Sequence, residues 1–162
     1  MERDNSSKKS NKKLSDYLRV YTVLLFLAFV LSFAALIAQY LYTRSVGEME
    51  NGMLGVANLL RIVAPLYLMC SPQDVCVVYQ VKSPITDKPT LIIYDNYPGG
   101  VGLAQKAYSM QRLLLEKCLE IVTGCTCSQG CPSCVGPIGE VGLDGKETAI
   151  RILRDMLLRS DH

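Results

Sequence analysis

The sequence has no tryptophan, three phenylalanines and one histidine, and that histidine is the last residue, His162. Catalysis by a histidine base and a metal site with histidine ligands are thereby set aside. No glycine-rich phosphate loop is present. The nearest candidate, "GEVGLDGKE", has Glu140 where such a loop needs its first glycine, and Lys146 is followed by Glu147 rather than Ser or Thr. It reads as a glycine turn leading into a helix. Charge of either sign in excess is also missing: the formal net charge is +2. Residues 51–162 hold ten Lys/Arg and ten Asp/Glu, a neutral balance that four metal-bound thiolates would tip negative by about two charges. Such a region does not advertise autonomous nucleic-acid binding, because the phosphate backbone rewards positive charge. Only a local basic face is left for that role.

What is present divides the chain. Residues 1–19, "MERDNSSKKSNKKLSDYLR", are polar and basic and have the composition of a disordered tail. Val20 to Thr43 contains no charged residue, and about 20 apolar residues suffice for a helix to cross a bilayer. Tyr21 lies at one end of this run, and Tyr40 and Tyr42 at the other, as in an interfacial aromatic belt. The run is too long, and lacks the small-residue end, for a cleaved signal peptide. It is expected to be a single transmembrane helix over 20–43, followed by a linker over 44–52. The flanking charges, with six Lys/Arg before the run and Arg44, Glu48 and Glu50 after it, favour an amino terminus in the cytoplasm and everything after residue 44 outside. The thiols clustered at residues 125–134 point the other way, to a reducing space, and are given the greater weight.

Beyond the linker the spacing of Leu54, Val56, Leu59, Leu60 and Val63 predicts one helical face, with Pro65 bending or ending the helix. A second membrane span over 53–70 would bury Arg61, at about 2.5–3.5 kcal/mol. "VCVVYQV" (75–81) and "TLIIYDN" (90–96) read as antiparallel strands joined by a turn-rich connector. After "YPGGVG", one long helix is expected from Leu103 to Val122, closed by Gly124. A last helix opens at "DGKE", where Asp144 and Glu147 have capping-box spacing, and runs to about Arg159. The fold class expected is α+β: a small antiparallel hairpin packed against about three helices, with a cysteine loop, over 53–160.

That loop is "CTCSQGCPSC". Cys125, Cys127, Cys131 and Cys134 fall within ten positions. Four thiolates are the preferred closed shell of structural zinc, and Gly124 and Gly130 would let the backbone turn close to the ion. Disulfides, an iron–sulfur cluster and a redox dithiol are the alternatives that four thiols leave open. Cys70, Cys76 and Cys118 stand in apolar surroundings and read as core residues. Asp95 reads as a turn or helix-capping carboxylate rather than a reactive one.

"ANLLRIVAPLYLMC", "LIIYDNYPGGVGLAQKAY", "CTCSQGCPSCVGP" and "EVGLDGKETAIRILRDML" together resemble the MrfA-like zinc-binding domain. That domain is the carboxy-terminal module of a family of bacterial DEAD/DEAH-box DNA helicases implicated in DNA repair. The likeness runs from about residue 51 to 160. It rests on the Tyr-Asp-x-Tyr-Pro-Gly-Gly stretch (Tyr94, Asp95, Tyr97, Pro98, Gly99, Gly100) and on the cysteine loop. It implies one structural zinc on Cys125, Cys127, Cys131 and Cys134. ATPase and unwinding activity do not carry over, since neither a phosphate-binding loop nor a DEAD/DEAH box occurs in the sequence.

The function expected is that of a non-enzymatic, zinc-stabilised, helicase-associated interaction module. Residues 20–43 would tether it to a membrane, with the domain on the cytoplasmic face, where a reducing space preserves thiolates. Its partner would be a helicase or another protein. The competing expectations are a detached helicase module that contributes to DNA binding and repair, and an exported, disulfide-stapled domain.

Overall fold

The computed structural model describes the backbone of residues 3–159 and the side chains of residues 17–159. Helix α1 (Arg3–Leu68) is followed by strands β1 (Val75–Gln80) and β2 (Thr90–Asp95) and helices α2 (Leu103–Ser109), α3 (Gln111–Gly124), α4 (Ile138–Val141) and α5 (Gly145–Arg159). The chain divides into two compact units, residues 1–44 and 45–162.

The first unit is helical. Its apolar side chains from Tyr17 to Tyr42 are exposed, Phe29 and Phe33 among them, and these two rings stack with centroids 6.4 Å apart. None of the most apolar stretch is buried. Length and composition thus allow this helix to cross a membrane. The expected disordered tail over 1–19 falls, for residues 3–19, within α1, as does the expected linker over 44–52. No proline interrupts the chain between Arg3 and Ala64, so nothing covalent stops the helix there.

The second unit is built on the carboxy-terminal turns of α1. Val56, Leu59, Leu60 and Val63, all expected inward, are buried together with Met53, Ala57, Ala64 and Leu68. Residues 53–68 therefore form a core helix, and Arg61 lies at the surface. Pro65, expected to bend or end the helix, sits inside its last turn. The helix stops where Met69 turns left-handed (φ 56°) and Cys70 N–H reaches back to Pro65 C=O at 3.2 Å, a closure usually made by glycine.

The two strands form an antiparallel hairpin with Val75 opposite Asp95 and Gln80 opposite Thr90. Val75 and Val77 enter the core, while Val78 and Ile92 share the outer face. The single helix expected over Leu103–Val122 is two helices, α2 and α3, broken at Met110. Met110 N–H is shared between Lys106 C=O and Ala107 C=O, and the Ser109 hydroxyl donates to Lys106 C=O. Such back-bonding by serine competes with the regular ladder and bends it. The break turns Leu114, Leu115, Cys118 and Val122 inward with Ala107, and leaves Leu113 at the surface. With the one-turn α4, the described residues contain five helices, where about three and a preceding transmembrane helix were expected; the apolar run and the first core helix are one element, α1.

Helices α1 and α5 cross closely. A Cβ on Gly52 would lie 2.4 Å from Thr148 Cγ2, and one on Gly55 would lie 3.2 Å from Ala149 Cβ. Only glycine permits the first approach.

Candidate metal centre

The cysteine loop links α3 to α4. Helix α3 ends at Gly124 as expected, but Gly124 is not among the glycines with a left-handed backbone, and Cys125, already extended (φ −73°, ψ 127°), takes the chain out of the helix. Gly130 does carry the expected turn. Its φ is +131°, and a Cβ there would meet the Gly136 carbonyl oxygen at 2.7 Å. The Cys131–Cys134 turn is closed by Cys134 N–H and Gly136 N–H, both donating to Cys131 C=O at 3.0 Å. From outside the loop, Asn58 of α1 donates its side-chain N–H to Val135 C=O at 2.9 Å. The loop is thus pinned to the core helix next to its last cysteine.

These constraints bring four sulfurs together. Cys125 lies 3.5 Å from Cys127 and 3.6 Å from Cys131, and Cys134 lies 3.5 Å from both Cys127 and Cys131. All four sulfurs fall within 4.8 Å of one another. A tetrahedral ion with zinc–sulfur bonds of about 2.3 Å sets its sulfurs about 3.8 Å apart. The cluster therefore suits one zinc ion. The spacing is far longer than the 2.05 Å or so of a disulfide, and a polynuclear iron–sulfur cluster would hold the thiolates further apart. Cys134 is fully buried and the other three are half-buried, so the shell faces little water.

Electrostatics within the cluster favour thiolate at one corner. Burial raises the Cys127 thiol, but hydrogen bonds from Cys125, Cys134, Cys131 and the Gly130 N–H outweigh this and bring it down to about 7. Burial pushes Cys134 up to about 12, a cost that a bound dication removes. A residue that sequence reasoning left in a discarded phosphate-loop motif joins the site. Lys146 Nζ donates to Cys125 C=O at 2.8 Å and to Cys127 C=O, and lies 3.5 Å from Cys127 Sγ. Its only sequence signal was its place in the first turn of a helix, where a cation opposes the helix dipole.

The remaining cysteines stay outside the cluster. Burial pushes the Cys118 thiol up to about 12, as suits an uncharged core residue. Cys70 and Cys76 are half-buried.

The Tyr94–Gly100 stretch has a different role. Asp95 Oδ2 accepts the N–H groups of Val101 (2.5 Å), Gly102 (2.7 Å) and Leu103 (3.2 Å), and Oδ1 accepts that of Ala104 (2.5 Å). It caps α2 from the end of β2, as the capping reading requires. The Val101 N–H and its neighbours hold the carboxyl below the usual carboxylate range. Tyr97 donates its hydroxyl to Asp74 Oδ1 at 2.7 Å, and Gly99 and Gly100 turn through positive φ. Tyr94 faces outward, opposite Cys76. The stretch joins strand to helix and ties that junction to the start of β1.

Comparison with known proteins agrees with this site. The MrfA Zn-binding domain family matches residues 56–135. The Bacillus subtilis protein described as uncharacterized ATP-dependent helicase YprA is 40% identical over 113 residues, covering 68% of this chain and 15% of its own length. An uncharacterized protein of Methanocaldococcus jannaschii is 43% identical over 76 residues, covering 44% of this chain and 66% of its own. Among solved structures, the DUF1998 helicase MrfA bound to DNA superposes with a TM-score of 0.62 at 39% identity, over 67% of this chain and 14% of that one. The same helicase with DNA and AMPPNP gives 0.57 at 38% identity. This chain therefore spans about one seventh of the helicases it matches. Residues 56–135 match the MrfA Zn-binding domain and are homologous to a region of the MrfA helicase.

Proposed function

We propose that residues 53–160 act as a non-enzymatic, zinc-stabilised interaction module of the helicase-associated type, tethered to a membrane by residues 20–43. Cys125, Cys127, Cys131 and Cys134 are the four zinc ligands. The observation that carries this reading is the sulfur cluster itself, closed by four protein thiols within 4.8 Å. A structural zinc site is closed by protein ligands, whereas a catalytic one keeps a position open for water. The tether is supported by the exposed, uncharged run from Val20 to Thr43. The family likeness makes a helicase, or a protein that works with one, the natural partner. The domain lies on the cytoplasmic face, because a reducing space keeps unmetallated thiols from pairing.

The test uses the full chain purified in mild detergent. Metal analysis should return one zinc per chain and no iron, and ATP turnover should be absent. Replacement of Cys131 or Cys134 by Ser should abolish zinc binding. Iron with visible absorbance, or a metal-free protein that melts normally, overturns the zinc reading. Sidedness is read in intact cells with a membrane-impermeant thiol reagent after chelation. Labelling of Cys125, Cys127, Cys131 and Cys134 only after lysis supports the cytoplasmic face; labelling before lysis places the domain outside.

A second reading, a DNA-contacting helicase module, is favoured by the likeness to a helicase solved with DNA. The neutral balance of residues 51–162 weighs against strong binding by this chain alone. A duplex-binding titration at several salt concentrations decides it, since neutralising each phosphate adds about 0.9 to the salt slope.

A further inference from the structure

We infer that Lys146 is an outer-shell residue of the zinc centre, which sets the charge of the tetrathiolate and couples metal binding to the seating of helix α5. The inference rests on the zinc reading of the four cysteines.

Four thiolates around a dication leave two negative charges in a half-buried loop. The described cation in contact with this cluster is Lys146 Nζ, 3.5 Å from Cys127 Sγ. The same ammonium donates to the carbonyls of Cys125 and Cys127. Its three donors are therefore all used on one arm of the loop: two carbonyls and one sulfur. Two of the four ligands are held by their backbone through a single side chain. Outer-shell contacts of this kind orient the ligands and tune the metal.

The placement of the lysine runs against its own helix. Lys146 is the second residue of α5, where the unpaired N–H groups make a positive end. Glu147, the next residue, has the charge that position favours. A cation there is explained by the anionic cluster it faces. Breaking a local rule at a site with an evident compensating contact is the pattern expected of a functional residue.

Helix α5 seats the ammonium with little freedom. A Cβ on Gly145, beside Lys146, would meet Val141 Cβ at 2.7 Å, and buried Thr148 and Ala149 lie against Gly52 and Gly55 of α1. An ion held by the four sulfurs would keep Lys146, and with it the first turn of α5, in the position seen here. Zinc thereby stabilises a helix that supplies no ligand.

The test compares Lys146→Met, Lys146→Gln and Lys146→Arg with the unaltered full chain in detergent, with Glu147→Gln as a surface control. Zinc affinity is measured by competition with a chromophoric chelator, and zinc release by the rate of reaction with an alkylating reagent. Lys146→Met should weaken zinc binding by about 10–100-fold, the usual cost of losing an outer-shell partner. It should also speed alkylation-driven release severalfold, because the thiolates lose their neutralising charge. Lys146→Gln keeps donors for the carbonyls without the charge and should restore affinity more than the release rate. Lys146→Arg should stay near the unaltered protein, and so should Glu147→Gln. Amide exchange in the first turns of α5 should rise in Lys146→Met with zinc still bound, which a purely local packing loss at the loop would not produce. If Lys146→Met does not fold, Lys146→Gln and Lys146→Arg decide the matter by the same two measurements. Affinity and release within twofold of the unaltered protein in a folded Lys146→Met or Lys146→Gln variant overturn the inference while leaving the zinc reading intact. An unaltered chain without zinc overturns both.

Discussion

At the scale of single residues, several polar groups of the second unit hold loops in place. Asp95 is the clearest case, because one carboxylate accepts four backbone N–H groups from Val101 to Ala104. Those bonds, the one from Val101 foremost, hold its folded pKa below the unfolded value of about 3.9. A depressed carboxylate contributes its stability above the unfolded pKa and loses it as pH falls through the folded one. Asp95→Asn should therefore melt lower than the unaltered protein at pH 7, and the gap should shrink as pH drops below about 4. Melting curves of the two proteins from pH 7 to pH 3, compared as a difference, check this; a gap that widens on acidification contradicts the capping account. Leu59 shows the apolar counterpart. It is wholly buried, and Leu59→Ala should cost about 2–5 kcal/mol, measured by denaturant unfolding of the zinc-loaded chain. Both residues were legible in the sequence, Asp95 as a capping aspartate and Leu59 from helical spacing. Lys146 was not, because its partner lies about twenty residues back in a loop and no local pattern records that pairing.

At the scale of elements, what the sequence conveyed depended on whether the signal was periodic or steric. The hairpin strands were readable from β-branched runs around a proline-rich connector, and the buried face of α1 from its spacing. The break at Met110 was not, since Ser109 and Met110 carry no breaker and the bend comes from hydrogen bonds to Lys106 C=O. The stop at Met69 was equally hidden, because a left-handed methionine has no sequence signature. Two of the three glycines of α1, Gly47 and Gly52, look alike in sequence and differ in structure. A Cβ at Gly47 would meet nothing within 4 Å, while one at Gly52 would strike Thr148 Cγ2 at 2.4 Å. Gly47→Ala should therefore stabilise the helix by about 0.5–1 kcal/mol through lower backbone entropy in the unfolded chain. Gly52→Ala should destabilise by about 1–3 kcal/mol through overpacking. Equilibrium unfolding of both variants tests the α1–α5 crossing directly, and equal effects would show that the crossing is looser than described.

At the scale of the whole molecule, the two units are held by different means. The large apolar side chains from Tyr17 to Tyr42 are exposed, and length and composition allow this stretch to cross a membrane. The second unit has its own core, drawn from α1, the hairpin, α2, α3 and α5, and the cysteine loop is tied into that core through Asn58 and Lys146. Structural zinc supplies folding free energy on the order of 10 kcal/mol, comparable to the whole stability of a typical domain. Removing the metal should therefore unfold the second unit and leave the first unaffected. The experiment is limited proteolysis of the full chain reconstituted in vesicles, with and without a strong chelator, followed by mass spectrometry. With zinc, a resistant fragment should begin near Ser45 and contain all four cysteines. With the chelator that fragment should vanish, while a bilayer-protected peptide covering about Val20–Thr43 should persist in both samples. Readdition of zinc should restore the larger fragment. Loss of the apolar peptide together with the domain would show that residues 20–43 are sheltered by the protein and not by the membrane. Survival of the larger fragment in chelator would show that the apolar core alone suffices, and that the four cysteines do not hold the fold together.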